Sequence, residues 1–427
     1  MSRRMDSETH DASADGQAAR RAPLDGIRVL DLSRILAGPW CTQNLADLGA
    51  DVIKIERPAS GDDTRAWGPP FLKDGQGRDT EESAYYLSAN RNKRSVEADM
   101  ATPAGAALIR ELATASDILV ENFKVGGLAK YGLDYASLKA LNPRLIYCSI
   151  TGFGQDGPYA ARPGYDFMIQ GLGGLMSITG ERDDLPGGGP QKAGVAVTDI
   201  VTGMYATVAI LAALQERQRS GLGQHLDIAL LDSHVALLAN QNSNYFHSGV
   251  APRRAGNAHQ NVVPYQVFAA RDGHLIVATG NESQYRAYCA AIGAPELGDD
   301  PRFATNRLRI RNRDELVGLL SAIMLQGRRD DWIDKLEAAG VPCGPINDIA
   351  QAFAHPQAVA RQLRRDLPHP AGGVAAVTAS PLRFSDTPVA YRRAPPLLGQ
   401  HTEEVLREVL GKSVDEIAAF KQALASR

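Results

Sequence analysis

Short apolar runs alternate with amphipathic stretches from residue 26 onward. Buried strands are predicted for the runs rich in Val, Ile and Leu at 26–33, 51–58, 93–100, 117–123 and 144–153. Helical spacing separates them at 38–50 and at 102–116, where Thr102 is a candidate cap and Pro103 the first helical residue. A further helix is expected at Tyr135–Leu141. This alternation predicts a parallel, doubly wound α/β sheet, which binds ligands at the carboxyl ends of its strands.

The second half of the chain has a different pattern. A loop rich in glycine and charge at 180–194 precedes a long amphipathic helix that begins at Asp199. Strand-like runs follow at 222–305 and predict a smaller α+β unit. Helical sequence returns at 313–339 and at 402–426, which predicts a C-terminal part that packs back onto the first unit.

The composition is that of an ordinary globular protein. The 427 residues are 44% hydrophobic and 22% charged, and the net charge of −3 gives no support for a nucleic-acid partner or an anionic membrane. No run reaches the roughly 18 apolar residues of a membrane span.

Four widely spaced cysteines without a CxxC pair indicate reduced thiols and no zinc site. Residues 1–22 are polar and lack a signal sequence, so we predict a disordered tail and a cytoplasmic protein.

Several common catalytic motifs are absent from the sequence. The first strand is followed by SRILAGPW at 33–40, which has one glycine instead of the G-x-G-x-x-G of dinucleotide-binding folds. The glycines of 171–180 have another spacing and no strand before them. HExxH, GxSxG and P-loop patterns do not occur, so metalloprotease, serine hydrolase and nucleotide kinase chemistry lose their usual support.

Two carboxylates stand where helices are predicted to begin. Asp199 opens the long helix, and unpaired N–H groups and the helix dipole at that position are expected to keep it ionised, as a nucleophile requires. Asp166 precedes another apolar helix. From the pattern alone, a plain helix cap is the favoured interpretation of both residues.

Basic residues cluster near the ends of the predicted strands. They are Arg57, Arg91, Lys93, Arg94, Lys124 and Lys130. Because the carboxyl ends of parallel strands share one edge, these residues predict a positive edge for a ligand with phosphates. Taken singly, each is equally well explained as a solvated surface charge.

Several ordered motifs together resemble the class III CoA-transferase family. They are residues 24–58 (LDGIRVLDLSRILAGPWCTQNLADLGADVIKIERP), GDDTRAWGPPF, NRNKRS, VENF, GPYAARPGYD, VTDIVTGMYATVAILAALQER, VPCGPIND and PPLLGQHTEEVL. The resemblance extends from about Leu24 to Leu410 and is greatest to the branch that uses dicarboxylic acids and succinyl-CoA. It implies an enzyme that uses a CoA thioester as co-substrate, with no tightly bound cofactor, no metal and no nucleic-acid or membrane partner.

The resemblance also implies a fold. Family members have a Rossmann-like large domain with an inserted small α+β domain, and two subunits form an interlocked homodimer. Applied to this sequence, the plan gives a tail at 1–22, the large domain at 23–200, a linker helix at 201–221, the small domain at 222–305, a linker at 306–325 and the rest of the large domain at 326–427.

The site residues follow from the same resemblance. Asp199 matches the catalytic aspartate, which forms an acyl anhydride and then a CoA thioester. The CoA-binding positions match Leu36, Ala37, Arg57, Ala98, Ala101, Asn122, Phe123, Lys124, Lys130, Tyr165 and Asp166. For the distal carboxylate of a dicarboxylic acid we consider Arg34 first, then His259 and Arg65, because cationic side chains bind carboxylates. An ion pair between Arg34 and an acidic neighbour is the alternative for that residue.

Other functions are weighed against this interpretation. The oxalate branch of the family has a glutamine where Leu36 stands and a glycine run where 253–261 reads RRAGNAHQN, so oxalate is disfavoured. The racemase relatives have a catalytic histidine where Tyr165 stands, and a tyrosine with a pKa near ~10 is a poor base. A racemase is still the alternative within the superfamily. An NAD-dependent oxidoreductase and a non-catalytic acyl-CoA-binding protein are the alternatives outside it.

Overall fold

The computed structural model describes residues 21–425, so that nearly all of the predicted tail at 1–22 lies outside the described residues. The strands are β1 (Arg28–Asp31), β2 (Asp51–Glu56), β3 (Phe71–Lys73), β4 (Asp79–Ser83), β5 (Lys93–Glu97), β6 (Ile118–Glu121), β7 (Ile146–Thr151), β8 (His225–Ala229), β9 (Tyr265–Ala270), β10 (Gly273–Ala278), β11 (Cys343–Pro345), β12 (Arg364–Pro368) and β13 (Val374–Thr378).

The helices connect and cover these strands. They are α1 (Ala37–Asp47), α2 (Ala84–Ser88), α3 (Pro103–Thr114), α4 (Tyr135–Leu141), α5 (Asp166–Leu172), α6 (Leu175–Ile178), α7 (Val197–Ser220), α8 (Leu230–Leu237), α9 (Asn240–Ser248), α10 (Glu282–Ala291), α11 (Pro295–Asp299), α12 (Asn306–Arg311), α13 (Arg313–Met324), α14 (Arg329–Ala338), α15 (Ile349–Ala354), α16 (Pro356–Ala360), α17 (Thr402–Leu410) and α18 (Val414–Ala425). Short 3₁₀ turns form at Asp63–Ala66 and Ala129–Tyr131.

The centre of the molecule is a six-stranded parallel sheet with the order β5-β2-β1-β6-β7-β8. Val29 of β1 lies opposite Val52 on one side and Ile118 on the other. The chain therefore reverses its direction of winding at β1, and a crevice forms at the carboxyl ends of β1 and β6. The parallel, doubly wound sheet predicted from the sequence is confirmed.

Each face of this sheet carries its own apolar core. Val29 and Ile118 point to the face covered by α1 and α7, whereas Leu30 and Leu119 point to the face covered by α3 and α17. This division follows from the alternation of side chains along a strand. Helix α17 thus returns to the sheet. Helix α3 begins as predicted, because the Thr102 hydroxyl accepts a hydrogen bond from the Gly105 N–H at 2.9 Å.

A second core surrounds the antiparallel sheet β9–β10–β11. Two stretches lie elsewhere than we predicted. Strand β8, expected in the small unit at 222–305, pairs with β7 and completes the edge of the large sheet. Helices α13 and α14, expected in a linker and in the large domain, bury Leu320 and Leu336 in this second core. In both cases the burial of an apolar face decides the location.

By length and composition, α7 is the one helix among the described residues that is apolar enough to cross a membrane, a test that core helices also pass. Ala206, Ile210 and Ala213 of this helix are buried against the large sheet.

Candidate active site

A cavity of about 550 Å³ opens at the carboxyl end of the parallel sheet. Its wall comes from the segments that follow β1, β2, β5, β6 and β7 and from the first turn of α7. Among the residues that line it are Arg34, Leu36, Ala37, Lys54, Arg57, Asp62, Ala98, Ala101, Asn122, Phe123, Lys124, Lys130, Arg162, Gly164, Tyr165 and Asp199. Most of the predicted site residues therefore meet in one place, as parallel strand ends should.

Three predicted residues are not in the wall of this cavity. Arg65 is buried in ion pairs with Glu56 at 2.8 Å and Glu82 at 2.7 Å, so its charge is already compensated. His259 lies in the loop before β9, and its Nδ1 accepts a hydrogen bond from the N–H of Asn261. The third residue is Asp166, whose carboxylate contacts α7.

Asp166 caps a helix other than its own. The N-cap of α7 is Ala196, which has no side-chain acceptor, and α5 is likewise preceded by Tyr165 without a cap bond. The Oδ1 atom of Asp166 accepts a hydrogen bond from the Thr198 N–H at 2.8 Å, with a longer contact of 3.4 Å to the N–H of Asp199. The cap predicted for the start of α7 is thus supplied from a distant part of the chain.

Asp199 occupies the third position of α7 and is not its N-cap. No hydrogen bond to its carboxylate occurs among the described residues. Burial raises the pKa of Asp199 to about 7, and the negative charge of Asp166 adds to the increase. Our prediction that the helix N-terminus keeps this carboxyl ionised is wrong in direction, because the N–H groups of the first turn are directed to Asp166 instead. Near neutral pH both protonation states of Asp199 are populated.

The turn between β1 and α1 is held by two side chains from other segments. Asn122 accepts a hydrogen bond from the Arg34 N–H at 2.9 Å and donates one to the Arg34 carbonyl at 2.7 Å. Ile35 has a positive φ of 71°, and its N–H donates to the carboxylate of Asp62 at 3.2 Å. The next N–H groups, those of Leu36 and Ala37, have no acceptor within residues 21–425, and both residues line the cavity.

A buried ion pair supports this turn from below. The ammonium group of Lys54 donates to the Ser33 carbonyl and to Asp62, at 2.9 Å each. Although burial opposes the change, the ammonium of Lys54 lowers the pKa of Asp62 to about 2. Sequence reasoning did not identify either residue, and the one available signal was the position of Asp62 at the start of a turn in GDDTR.

The cations of the site divide into paired and free groups. Arg34 forms an ion pair of 2.6 Å with Asp63, which is the alternative we gave for this residue. Among the described residues, no carboxylate pairs with Arg57, Lys124, Lys130 or Arg162, and all four line the cavity. Arg162 was missed from the sequence, although it stands within the motif GPYAARPGYD.

Three other basic residues do not contribute to the predicted positive edge. Arg91, Lys93 and Arg94 lie at the amino end of β5, opposite to the cavity, and are buried in ion pairs with Asp47, Asp31 and Asp51, respectively. Their part of that prediction is wrong because each charge is compensated inside the large domain.

The site thus offers a carboxylate of raised pKa, free backbone N–H groups and several unpaired cations. Such a set suits a ligand with a reactive carbonyl group and negatively charged phosphates. Within the part of the chain that the structure describes, no group of three or more His, Cys, Asp or Glu side chains is placed to hold a metal ion.

Comparisons with known proteins show the family of this chain. Residues 24–402 match the model of CoA-transferase family III. A succinate–glutarate CoA-transferase of Agrobacterium fabrum is 53% identical over 390 residues, 91% of this chain and 96% of that protein. The human succinyl-CoA:glutarate CoA-transferase is 44% identical over 388 residues, 91% of this chain and 86% of that protein. The crystal structure of a CAIB/BAIF family protein from Brucella suis is 50% identical with a TM-score of 0.80, and the match covers 91% of this chain and 100% of that one.

Proposed function

The chain belongs to CoA-transferase family III, and we propose that it moves CoA from succinyl-CoA to a dicarboxylic acid through covalent intermediates on Asp199. The names of the Agrobacterium and human relatives both include glutarate together with succinate or succinyl-CoA. A C4–C6 dicarboxylic acid is therefore the acceptor class that we assign.

The observation that carries this proposal is the placement of Asp199 in the cavity. Its carboxylate has a pKa raised to about 7 and no competing hydrogen bond within the described residues. A carboxylate of raised pKa is more basic, and so more nucleophilic, than an ordinary aspartate, while a useful fraction is ionised at neutral pH. These are the properties required for attack on a thioester.

The reaction consists of two exchanges on the same side chain. Ionised Asp199 attacks the thioester carbonyl of the donor, the C–S bond breaks, and CoA leaves as a thiolate while an aspartyl–acyl anhydride forms. The thiolate then attacks the aspartyl carbonyl and releases the donor acid as a carboxylate, which leaves an aspartyl–CoA thioester. The acceptor carboxylate repeats both exchanges in reverse and regenerates Asp199. The thioester free energy is conserved, so that no nucleotide is consumed.

Each exchange passes through a tetrahedral oxyanion. The free N–H groups of Leu36 and Ala37 at the start of α1 are the donors that we assign to it. Their positions are fixed in advance by Asn122 and Asp62, and fixed donors stabilise a developing charge without reorganisation. The cations Arg57, Lys124 and Lys130 are assigned to the phosphates of CoA.

Mass spectrometry of the intact protein with succinyl-CoA tests this function. We compare the wild type with Asp199→Asn, which keeps the shape of the side chain, and then add glutarate. The wild type should gain an adduct on Asp199 that hydroxylamine removes and that glutarate discharges as glutaryl-CoA, whereas the variant should gain none. An equal adduct on the variant would exclude Asp199 as the nucleophile, and absence of any adduct or transfer by the wild type would overturn the proposed function.

A further inference from the structure

Arg162 lies in the segment that connects β7 to α5, and it lines the cavity together with Gly164, Tyr165 and Asp199. This segment is anchored at two points. At Gly152 an added Cβ atom would lie 2.6 Å from the Cα atom of Gly164, so the two backbones are in direct contact. Two residues after Gly164, the Asp166 carboxylate holds the first turn of α7, which carries Asp199.

The short chain between Arg162 and Asp166 limits how far the backbone of Arg162 can be from Asp166, which contacts the turn that carries Asp199. Asp166 stands four positions after Arg162, and four residue steps span at most ~14 Å when the chain is fully extended. The other free cations of the cavity reach it from different segments. Arg57 follows β2, Lys124 follows β6, and Lys130 lies in a 3₁₀ turn. Among these four cations, Arg162 is therefore the one that shares a segment with Asp166, the residue that supports the turn carrying Asp199.

Two aromatic rings flank the guanidinium of Arg162. Its Cζ atom lies 4.5 Å from the ring centroid of Tyr159 and 5.9 Å from that of Phe153. Rings take the face of a guanidinium and leave its N–H edge available, and that edge matches a carboxylate in a bidentate pair. Within residues 21–425, no carboxylate occupies this edge, in contrast to Arg34, which is paired with Asp63.

We propose that Arg162 binds the distal carboxylate of the dicarboxylic acid and so makes the enzyme selective for dicarboxylic over monocarboxylic acids. This inference rests on the proposed function, since it presupposes CoA transfer through Asp199. It replaces Arg34 as the residue assigned to this task. Binding of the distal carboxylate also orients the near carboxylate toward the aspartyl group, because an acid held at both ends has fewer orientations available in the site.

The test uses isotope exchange between an acid and its own CoA thioester. Labelled succinate is exchanged with succinyl-CoA, and labelled butyrate with butyryl-CoA, so that the two pairs have the same carbon count and differ in the distal carboxylate. The wild type should exchange succinate much faster than butyrate. Arg162→Met should lower the kcat/KM of succinate exchange by about 10- to 100-fold. The kcat/KM of butyrate exchange should stay within about 3-fold of the wild-type value, so that the ratio of the two falls by about 10- to 100-fold as well. Arg162→Lys, which keeps the charge, should retain part of the selectivity.

Arg57→Met is the matched control, because it removes a free cation from the same cavity. This variant should lower both exchange rates equally, as expected for a contact with the CoA part that both pairs share. If Arg162→Met behaves like Arg57→Met, or if selectivity is unchanged, the assignment is overturned while CoA transfer stands. A wild type that exchanges both acids equally would also overturn it, whereas a wild type that exchanges neither acid would contradict the proposed function itself.

Discussion

Asp166 and Asp199 are two carboxylates in opposite surroundings. Asp166 accepts hydrogen bonds from the Thr198 N–H and from the Gln170 side chain at 2.7 Å, whereas Asp199 accepts none within the described residues. Burial disfavours the charged form of a carboxylate, and a nearby negative charge does so as well. Burial therefore raises the pKa of Asp199, and Asp166, which supports the helix, adds to the increase. Asp199 is the residue that we propose to be the nucleophile.

Replacement of Asp199 should stabilise the protein at alkaline pH. The pKa of Asp199 is about 7 in the folded state against an ordinary value of 3.8 for an aspartate, so ionisation costs stability as the pH rises from about 4 to about 7, and the whole cost is present above that range. Asp199→Asn removes this cost. Its free energy of unfolding should exceed that of the wild type by on the order of 1–3 kcal/mol at about pH 8, after a discount for partial exposure.

Urea denaturation of both proteins at about pH 5 and about pH 8 measures this difference. The gap between the two midpoints should widen as the pH increases. A gap that is constant, or that narrows toward alkaline pH, would contradict the raised pKa.

The sequence identified Asp199 but not the direction of its pKa. Its position in TDIVTGMYA marks the residue through the family resemblance. The shift depends on burial and on a carboxylate 33 positions earlier in the chain, which only the folded structure brings close. The ion pairs of Arg34 and Arg65 were unpredictable for the same reason. A sequence does not reveal which arginine is already paired with an acid in the folded chain.

Helices α1 and α7 are in close contact where α7 carries a glycine. An added Cβ atom at Gly203 would lie 2.6 Å from the Ala37 carbonyl oxygen and 3.2 Å from the Cβ of Trp40. This contact fixes the distance between the helix that presents the N–H groups of Leu36 and Ala37 and the helix that presents Asp199. The proposed nucleophile and its oxyanion donors are therefore held together by two rigid elements, as a preorganised site requires.

Gly203→Ala should separate these two helices. We expect it to destabilise the fold by about 1–3 kcal/mol through overpacking and to slow adduct formation on Asp199 by at least about 10-fold. Gly318→Ala is the matched control, since a Cβ atom there meets nothing within 4 Å inside helix α13. The control should be neutral or stabilising by up to about 1 kcal/mol, with the rate unchanged. Urea denaturation and single-turnover mass spectrometry measure both effects, and equal behaviour of the two variants would show that the contact between α1 and α7 does not set the rate.

The elements themselves were largely predictable from local patterns. The parallel strands, the cap of α3 and the return of α17 to the sheet all follow from apolar spacing and from Thr102 and Pro103. The location of β8 and of α13 was not predictable in this way, because a short apolar strand or an amphipathic helix can pack on either core. The course of the chain after residue 220 determines which core each element packs on, and hydrophobic periodicity does not predict that course.

On the scale of the whole molecule, α7 and α9 leave large apolar side chains exposed. Val208 is 59% exposed and lies one turn from Met204 and Tyr205, and Phe246 of α9 is 72% exposed. Clusters of such side chains are typical of protein–protein contacts. From these side chains and from the resemblance to the family, we propose that two copies of this chain interlock into a homodimer in which the partner covers α7 and α9.

An interlocked homodimer should have a solution mass of twice the 45.8 kDa of one chain. Because interlocked subunits cannot separate without large unfolding, this mass should persist on dilution to nanomolar concentration, where ordinary weak dimers dissociate. Light scattering and sedimentation velocity measure this mass.

Phe246→Ser together with Val208→Ser should lower the unfolding temperature of the dimer by several degrees through the loss of buried apolar area, about 25 cal/mol per Å². Leu141→Ser is the control, since Leu141 at the end of α4 is similarly exposed, at 53%, and belongs to neither helix. A single-chain mass at micromolar concentration, or an equal effect of the control, would contradict the dimer and its proposed surface.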